Sequence, residues 1–215
     1  MRIQVIKNAT DYKIDTTRIG LWGASAGGNL AAALVVRHMQ SGTSQERPDL
    51  RFVSLVVPVT AHPRAFAVFE KNRDSPKSSN ELLFAKAEPA PSKVVDEFEK
   101  LLGKPSDCFS DMALTDMTLE MYVGPTDVCD VLVSPLMSQP NPLHPQTHIT
   151  VAACDYLRPQ GQAYAEKLRL AGVRVTEDIL PGVPHGFTFA LNAKVTRAWL
   201  ERQVAYFADA LKSDR

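Results

Sequence analysis

A chain of 215 residues, 45% hydrophobic and 22% charged, is long enough for one sizeable core and too short for two comfortable ones. Its 24 basic residues balance 24 acidic ones, which argues against a nucleic-acid partner and for a neutral small molecule. There is no signal-peptide core and no run near the roughly 20 apolar residues of a membrane span, and Cys108, Cys129 and Cys154 show neither CxxC nor metal-ligand spacing, so the expectation is a cytoplasmic protein with no metal site and no disulfide framework.

In chain order, Ile19-Gly20-Leu21-Trp22 is a short apolar run that stops at Gly23. Residues 26–37 follow with Leu30, Ala31, Leu34 and Val35 at helical spacing, which predicts strand, sharp turn and helix. The run Phe52 to Val57, rich in β-branched residues and stopped by Pro58, suits a strand buried on both faces. Between His62 and Val133 the pattern gives way to prolines, charges and short amphipathic pieces. One of these is Ser92–Leu102, where Val94, Val95, Phe98, Leu101 and Leu102 share a face. Such a stretch is too long for a plain loop, so residues 62–133 are read as a cap-like helical insertion within a single domain spanning 1–215. It would lie over the carboxyl edge of the sheet, where open α/β folds bind ligands.

The run from His148 to Ala153 predicts a third strand leading into Asp155. Gln160 to Ala171 predicts a helix closed by Gly172, and Val173 to Leu180 a strand ended by Pro181-Gly182. The stretch Val195 to Leu211 predicts a docking helix with Trp199, Val204, Phe207 and Leu211 on one face. Strands alternating with helices predict an α/β fold, a mostly parallel sheet with helices on both sides.

Gly23-Ala24-Ser25-Ala26-Gly27 is a G-x-S-x-G motif between the predicted strand and helix, the setting a nucleophile elbow requires. Small residues Gly23, Gly27 and Gly28 let two backbones cross closely, and the Ala26 N–H is placed to donate to a developing oxyanion. A serine hydroxyl needs a base oriented by a carboxylate. His185, in Pro184-His185-Gly186-Phe187, follows the last strand on a free loop, while His38, His62, His144 and His148 suit packing or surface roles better. Asp155 stands at the end of the preceding strand, and the chain order Ser25, Asp155, His185 is that of α/β-hydrolases.

The segments Gly23 to Ala31, Ser134-Pro135-Leu136, Cys154-Asp155-Tyr156-Leu157-Arg158, Tyr164 to Leu168, Ala171-Gly172-Val173 and Pro184 to Phe187 together resemble the hormone-sensitive-lipase-like carboxylesterases of the α/β-hydrolase fold. That resemblance implies hydrolysis of carboxylic esters of small or medium acyl chains with no cofactor. It also implies a departure: relatives carry several strands and a His-Gly-Gly oxyanion loop well upstream of the nucleophile, whereas here only some 20 residues precede the motif and no His-Gly-Gly occurs. The expectation is an amino-terminally truncated fold that lacks those strands, with Ile19–Trp22 as an exposed sheet edge open to self-association. Two other readings stay open: a catalytically impaired remnant acting as a binding protein, and a prolyl-oligopeptidase-like serine peptidase.

Overall fold

The computed structural model describes residues 8–40, 50–72 and 112–212; the amphipathic piece Ser92–Leu102 and Cys108 lie outside them. Four strands form one parallel sheet in the order β1 (Ile19–Ala24), β2 (Leu50–Val56), β3 (Gln146–Ala152) and β4 (Val175–Leu180). Leu21 pairs with Val53, Val53 with Thr147, and Thr147 with Val175, so all four carboxyl ends point the same way. Parallel neighbours need crossovers, and helices supply them: α1 (Ala26–Gln40) between β1 and β2, and α4 (Arg158–Leu170) between β3 and β4. In the long connection from β2 to β3, the described residues hold α2 (Pro63–Lys71) and α3 (Met112–Val123). The chain closes with α5 (Lys194–Ala210).

The helices divide between the two faces. Ala31, Ala32 and Val35 of α1 and Ala163, Tyr164, Ala165 and Leu168 of α4 pack on Val53, Leu55, Ile149 and Val151. On the other face Val56, Ala152 and Leu180 pack with Phe187 and with Trp199 of α5. The core strands β2 and β3 are buried on both sides, which explains why they read as continuous apolar runs rather than alternating ones.

The boundaries differ from the sequence pattern where local chemistry decides them. β2 ends at Val56 because Val57 turns the backbone to φ 40° and Pro58 has no N–H to continue the ladder. α4 begins two residues early, at Arg158, since Pro159 costs no hydrogen bond in a first helical turn. It closes at Gly172, which sits at φ 80° and donates to the Arg169 carbonyl while Val173 donates to that of Leu168.

α5 departs more. Its buried face is Thr196, Trp199, Gln203 and Ala210, and Val204 is 68% exposed. Gln203 replaces Val204 in the contact because the sheet face is polar there: Ser54 Oγ donates to Gln203 Oε1 at 2.6 Å, and Gln203 Nε2 donates to Thr150 Oγ1 at 3.3 Å. Trp199 Nε1 donates to the same threonine at 3.0 Å. Among the described residues no helix is long and apolar enough to cross a membrane.

Candidate active site

At the carboxyl edge of the sheet, β1 runs into a turn whose tip is Ser25, held at φ 53° in the left-handed region that a non-glycine residue seldom adopts. The turn is made possible by what its neighbours lack. A Cβ on Gly23 would lie 2.1 Å from the Gly27 carbonyl oxygen, and one on Gly28 would lie 2.9 Å from Pro58 Cβ. Gly27 is different: nothing lies within 4 Å of the Cβ it does not have, so its carbonyl is what Gly23 must clear.

The elbow is tied on both sides. Ser25 N donates to the Val56 carbonyl at 2.9 Å, and its own carbonyl accepts from Asn29 N at 3.1 Å. Ala26 is the first residue of α1, in the first turn, where backbone N–H groups lack a helical carbonyl partner and the helix end is positive.

Asp155 follows β3 by three residues and His185 follows β4 by five, so both loops reach the same edge as Ser25. The structure brings the three side chains together. His185 Nε2 lies 2.8 Å from Ser25 Oγ, and His185 Nδ1 lies 2.8 Å from Asp155 Oδ2. Asp155 is buried, with its second oxygen Oδ1 accepting from Leu157 N at 2.9 Å, so both carboxylate oxygens are engaged and the group cannot swing away from the imidazole. The His185 ring starts a short 3₁₀ turn, His185–Phe189, anchored where Phe187 packs edge-on to Trp199 at 5.0 Å. The imidazole itself is partly open to solvent, with a side-chain exposure of 24%. Such an arrangement can move a proton from a hydroxyl to an imidazole whose charge is stabilised by a carboxylate.

The other four histidines stand apart from this cluster. His62 caps α2, accepting at Nδ1 from Arg64 N at 3.2 Å, and His144 contacts the Pro145 carbonyl at 2.9 Å. His38 is buried near the end of α1, and His148 is buried under α5. Cys129 and Cys154 are free thiols. Among the described residues no three His, Cys, Asp or Glu side chains gather as metal ligands would.

Some supporting residues carried no signal in the hydrophobic pattern. Asn29 Nδ2 donates to both the Val59 and Val133 carbonyls at 2.9 Å, tying α1 to two loops behind the elbow. Gln160 is buried in the first turn of α4 and accepts from two backbone N–H groups of the loop after β2. Only a polar residue beside an expected turn could have marked either one, and many surface positions look the same.

Residues 3–189 match the profile of a family described as alpha/beta hydrolase fold. Arylacetamide deacetylase of Bos taurus is 26% identical over 220 residues, covering 88% of this chain and 53% of the relative. Carboxylesterase NlhH of Mycobacterium tuberculosis is 28% identical over 190 residues, covering 86% of this chain and 48% of its own. Among solved structures, a bacterial heroin esterase superposes with a TM-score of 0.71 at 21% identity, over 98% of this chain and 57% of the other. The chain thus spans about half the length of the curated relatives it matches.

Proposed function

Because this chain belongs to the alpha/beta hydrolase fold family, we propose that it cleaves carboxylic esters of small or medium acyl chains through a serine acyl-enzyme, with no cofactor. Support comes first from the relay of two 2.8 Å contacts from Ser25 Oγ through His185 to Asp155 Oδ2. The names of the relatives, a carboxylesterase and a deacetylase, agree with acyl transfer as the reaction class.

In this reading the neutral imidazole carries its proton on Nδ1 and donates it to Asp155, leaving Nε2 to accept from the Ser25 hydroxyl. Oγ attacks the ester carbonyl carbon as its proton passes to Nε2. The carbonyl π electrons move onto oxygen, and the Ala26 N–H donates to that oxyanion. Collapse of the tetrahedral intermediate breaks the bond to the alkoxy oxygen, which takes the proton back from Nε2 and leaves as alcohol. Water then repeats the sequence on the acyl-serine, releasing the acid and restoring Ser25. Asp155 stabilises the imidazolium without taking a proton itself.

The test is Ser25→Ala, assayed on p-nitrophenyl acetate and by labelling with a fluorophosphonate. The parental chain should hydrolyse the ester and accept the label, and the variant should do neither above background. Labelling also separates an esterase from a catalytically silent binding protein, since it requires an activated serine. Hydrolysis surviving in Ser25→Ala at the parental rate would overturn the assignment.

A further inference from the structure

The loop that leaves β2, Val57 to His62, is buried along its length, and its backbone is bonded to four different parts of the molecule. Val57 N donates to the Thr150 carbonyl at 2.7 Å, and Val59 N reaches the Ser25 carbonyl at 3.4 Å. The Val59 carbonyl accepts from Asn29 Nδ2, that of Thr60 accepts from Leu136 N at 2.9 Å, and His62 N donates to Ser134 Oγ at 2.9 Å. Two N–H groups remain at the centre, those of Thr60 and Ala61. Both go to a single atom, Gln160 Oε1, at 2.7 and 2.8 Å. Thr60 Oγ1 adds a third bond, to the Gln160 carbonyl, at 2.8 Å.

These three bonds join two segments that each carry part of the active site. One end of the clasped loop holds the Ser25 elbow through Val56 and Val59. Gln160 lies in the first turn of α4, five residues after Asp155, whose own loop is pinned by Leu157 N and by Arg158 N donating to the Asp155 carbonyl at 3.1 Å. A movement of this turn relative to the loop would change the gap that His185 has to bridge. Misplacement of reacting groups by about 1 Å costs roughly a hundredfold in rate.

We infer that Gln160 is a positioning residue, which locks the loop beneath the nucleophile elbow to the turn bearing Asp155 and so sets the spacing of Ser25, His185 and Asp155. The inference rests on the proposed serine mechanism. Its chemistry is an oxygen acceptor for two converging N–H donors, which a carboxylate also supplies. Because residue 160 lies in the first turn of α4, the helix amino terminus favours a negative charge there.

Gln160→Met keeps the length of the side chain and removes the acceptor. Gln160→Glu keeps the acceptor. Thr60→Val removes only the bond from Oγ1. Two readouts follow the site directly: the rate of fluorophosphonate labelling of Ser25, and the low-field proton resonance of the His185–Asp155 hydrogen bond, assigned by its loss in His185→Gln. At temperatures where circular dichroism shows each chain folded, Gln160→Met should label roughly tenfold more slowly or worse and shift the resonance. Gln160→Glu should recover most of both. Thr60→Val should change both in the same direction by a smaller factor, and it carries the test if Gln160→Met does not fold.

Parental labelling and an unshifted resonance in Gln160→Met and Thr60→Val would overturn the inference, while the Ser25→Ala result would leave the serine mechanism standing. A parental chain that labels no faster than Ser25→Ala would overturn the mechanism instead, and the resonance alone would then decide the positioning role.

Discussion

Gly23, Gly27 and Gly28 look equivalent in the motif, yet each does something different at the elbow. At Gly23 a methyl group would sit 2.1 Å from the Gly27 carbonyl oxygen and 2.8 Å from Gly28 N, backbone atoms that cannot rotate aside. Gly27 lies inside α1 with open space where its Cβ would be. Gly23→Ala should therefore cost about 3 kcal/mol or more, as overpacking against rigid atoms does. Gly27→Ala should be neutral or gain up to about 1 kcal/mol from a better helix former. Urea denaturation of the two variants checks this, and equal costs would mean that the crossing at the elbow is not what the glycines serve. The residues proposed for chemistry were legible because each stands just past an apolar run. Ser25 follows β1, Asp155 follows β3 and His185 follows β4, and parallel strands deliver all three ends to one edge. Gln160 and Asn29 were not legible as supports, since their partners are backbone groups some 100 and 30 to 104 residues away along the chain.

The contact between α5 and the sheet shows where periodicity alone misleads. Counting apolar residues puts Val204 on the docking face, but the sheet presents Ser54, His148, Thr150 and Thr176 there, and a polar helix face with Gln203, Arg202 and Tyr206 answers it. His148 is the titratable centre of that seam. Its ring stacks on Tyr206 at 4.1 Å, its Nδ1 contacts Thr176 Oγ1 at 2.8 Å, and its Nε2 lies 3.3 Å from Thr150 Oγ1 and 3.8 Å from Asp178 Oδ2. Asp178 is itself held by Arg202 at 3.1 Å and Tyr206 at 3.3 Å. Burial pushes His148 well below its usual value, to about 4; Asp178 pulls the other way and Arg202 adds to the fall. The unfolded chain therefore takes up this proton at higher pH than the folded one. The stability owed to neutral His148 is whole above about pH 6.5 and is lost as the pH falls toward 4, by up to roughly 3 kcal/mol. Denaturation midpoints measured from pH 7 to pH 4.5 should fall more steeply for the parental chain than for His148→Gln. Parallel slopes would show that His148 does not drive the acid sensitivity.

At the scale of the whole molecule, β1 and β4 are the two edges of the described sheet, and β1 is the one that leads to the candidate nucleophile. Among the described residues no strand pairs with its outer side, although the strand leads directly to Ser25. An edge strand of this kind presents a row of backbone N–H and C=O groups for pairing. Beside it, Trp22, which is 54% exposed, lines a groove of about 540 Å³ together with Leu200, Val204, Phe207 and Leu211 of the closing segment. The hydrophobic pattern marks the strand but not its place in the sheet, because an apolar run reads the same at an edge and in the interior. The edge position is expected from the family resemblance instead. The groove also explains the exposure of Val204, which lines it instead of packing on the sheet. An edge strand can pair antiparallel with the same strand of a second copy, which would also bury the two Trp22 side chains. The expected outcome is concentration-dependent self-association, read as a rise in weight-average mass by sedimentation velocity. Trp22→Lys puts a charge on that edge without touching the core, and it should shift the chain toward monomer at equal concentration while leaving the melting temperature within a few degrees. A parental chain that stays monomeric over the whole concentration range, like Trp22→Lys, would show that β1 is protected by something other than pairing.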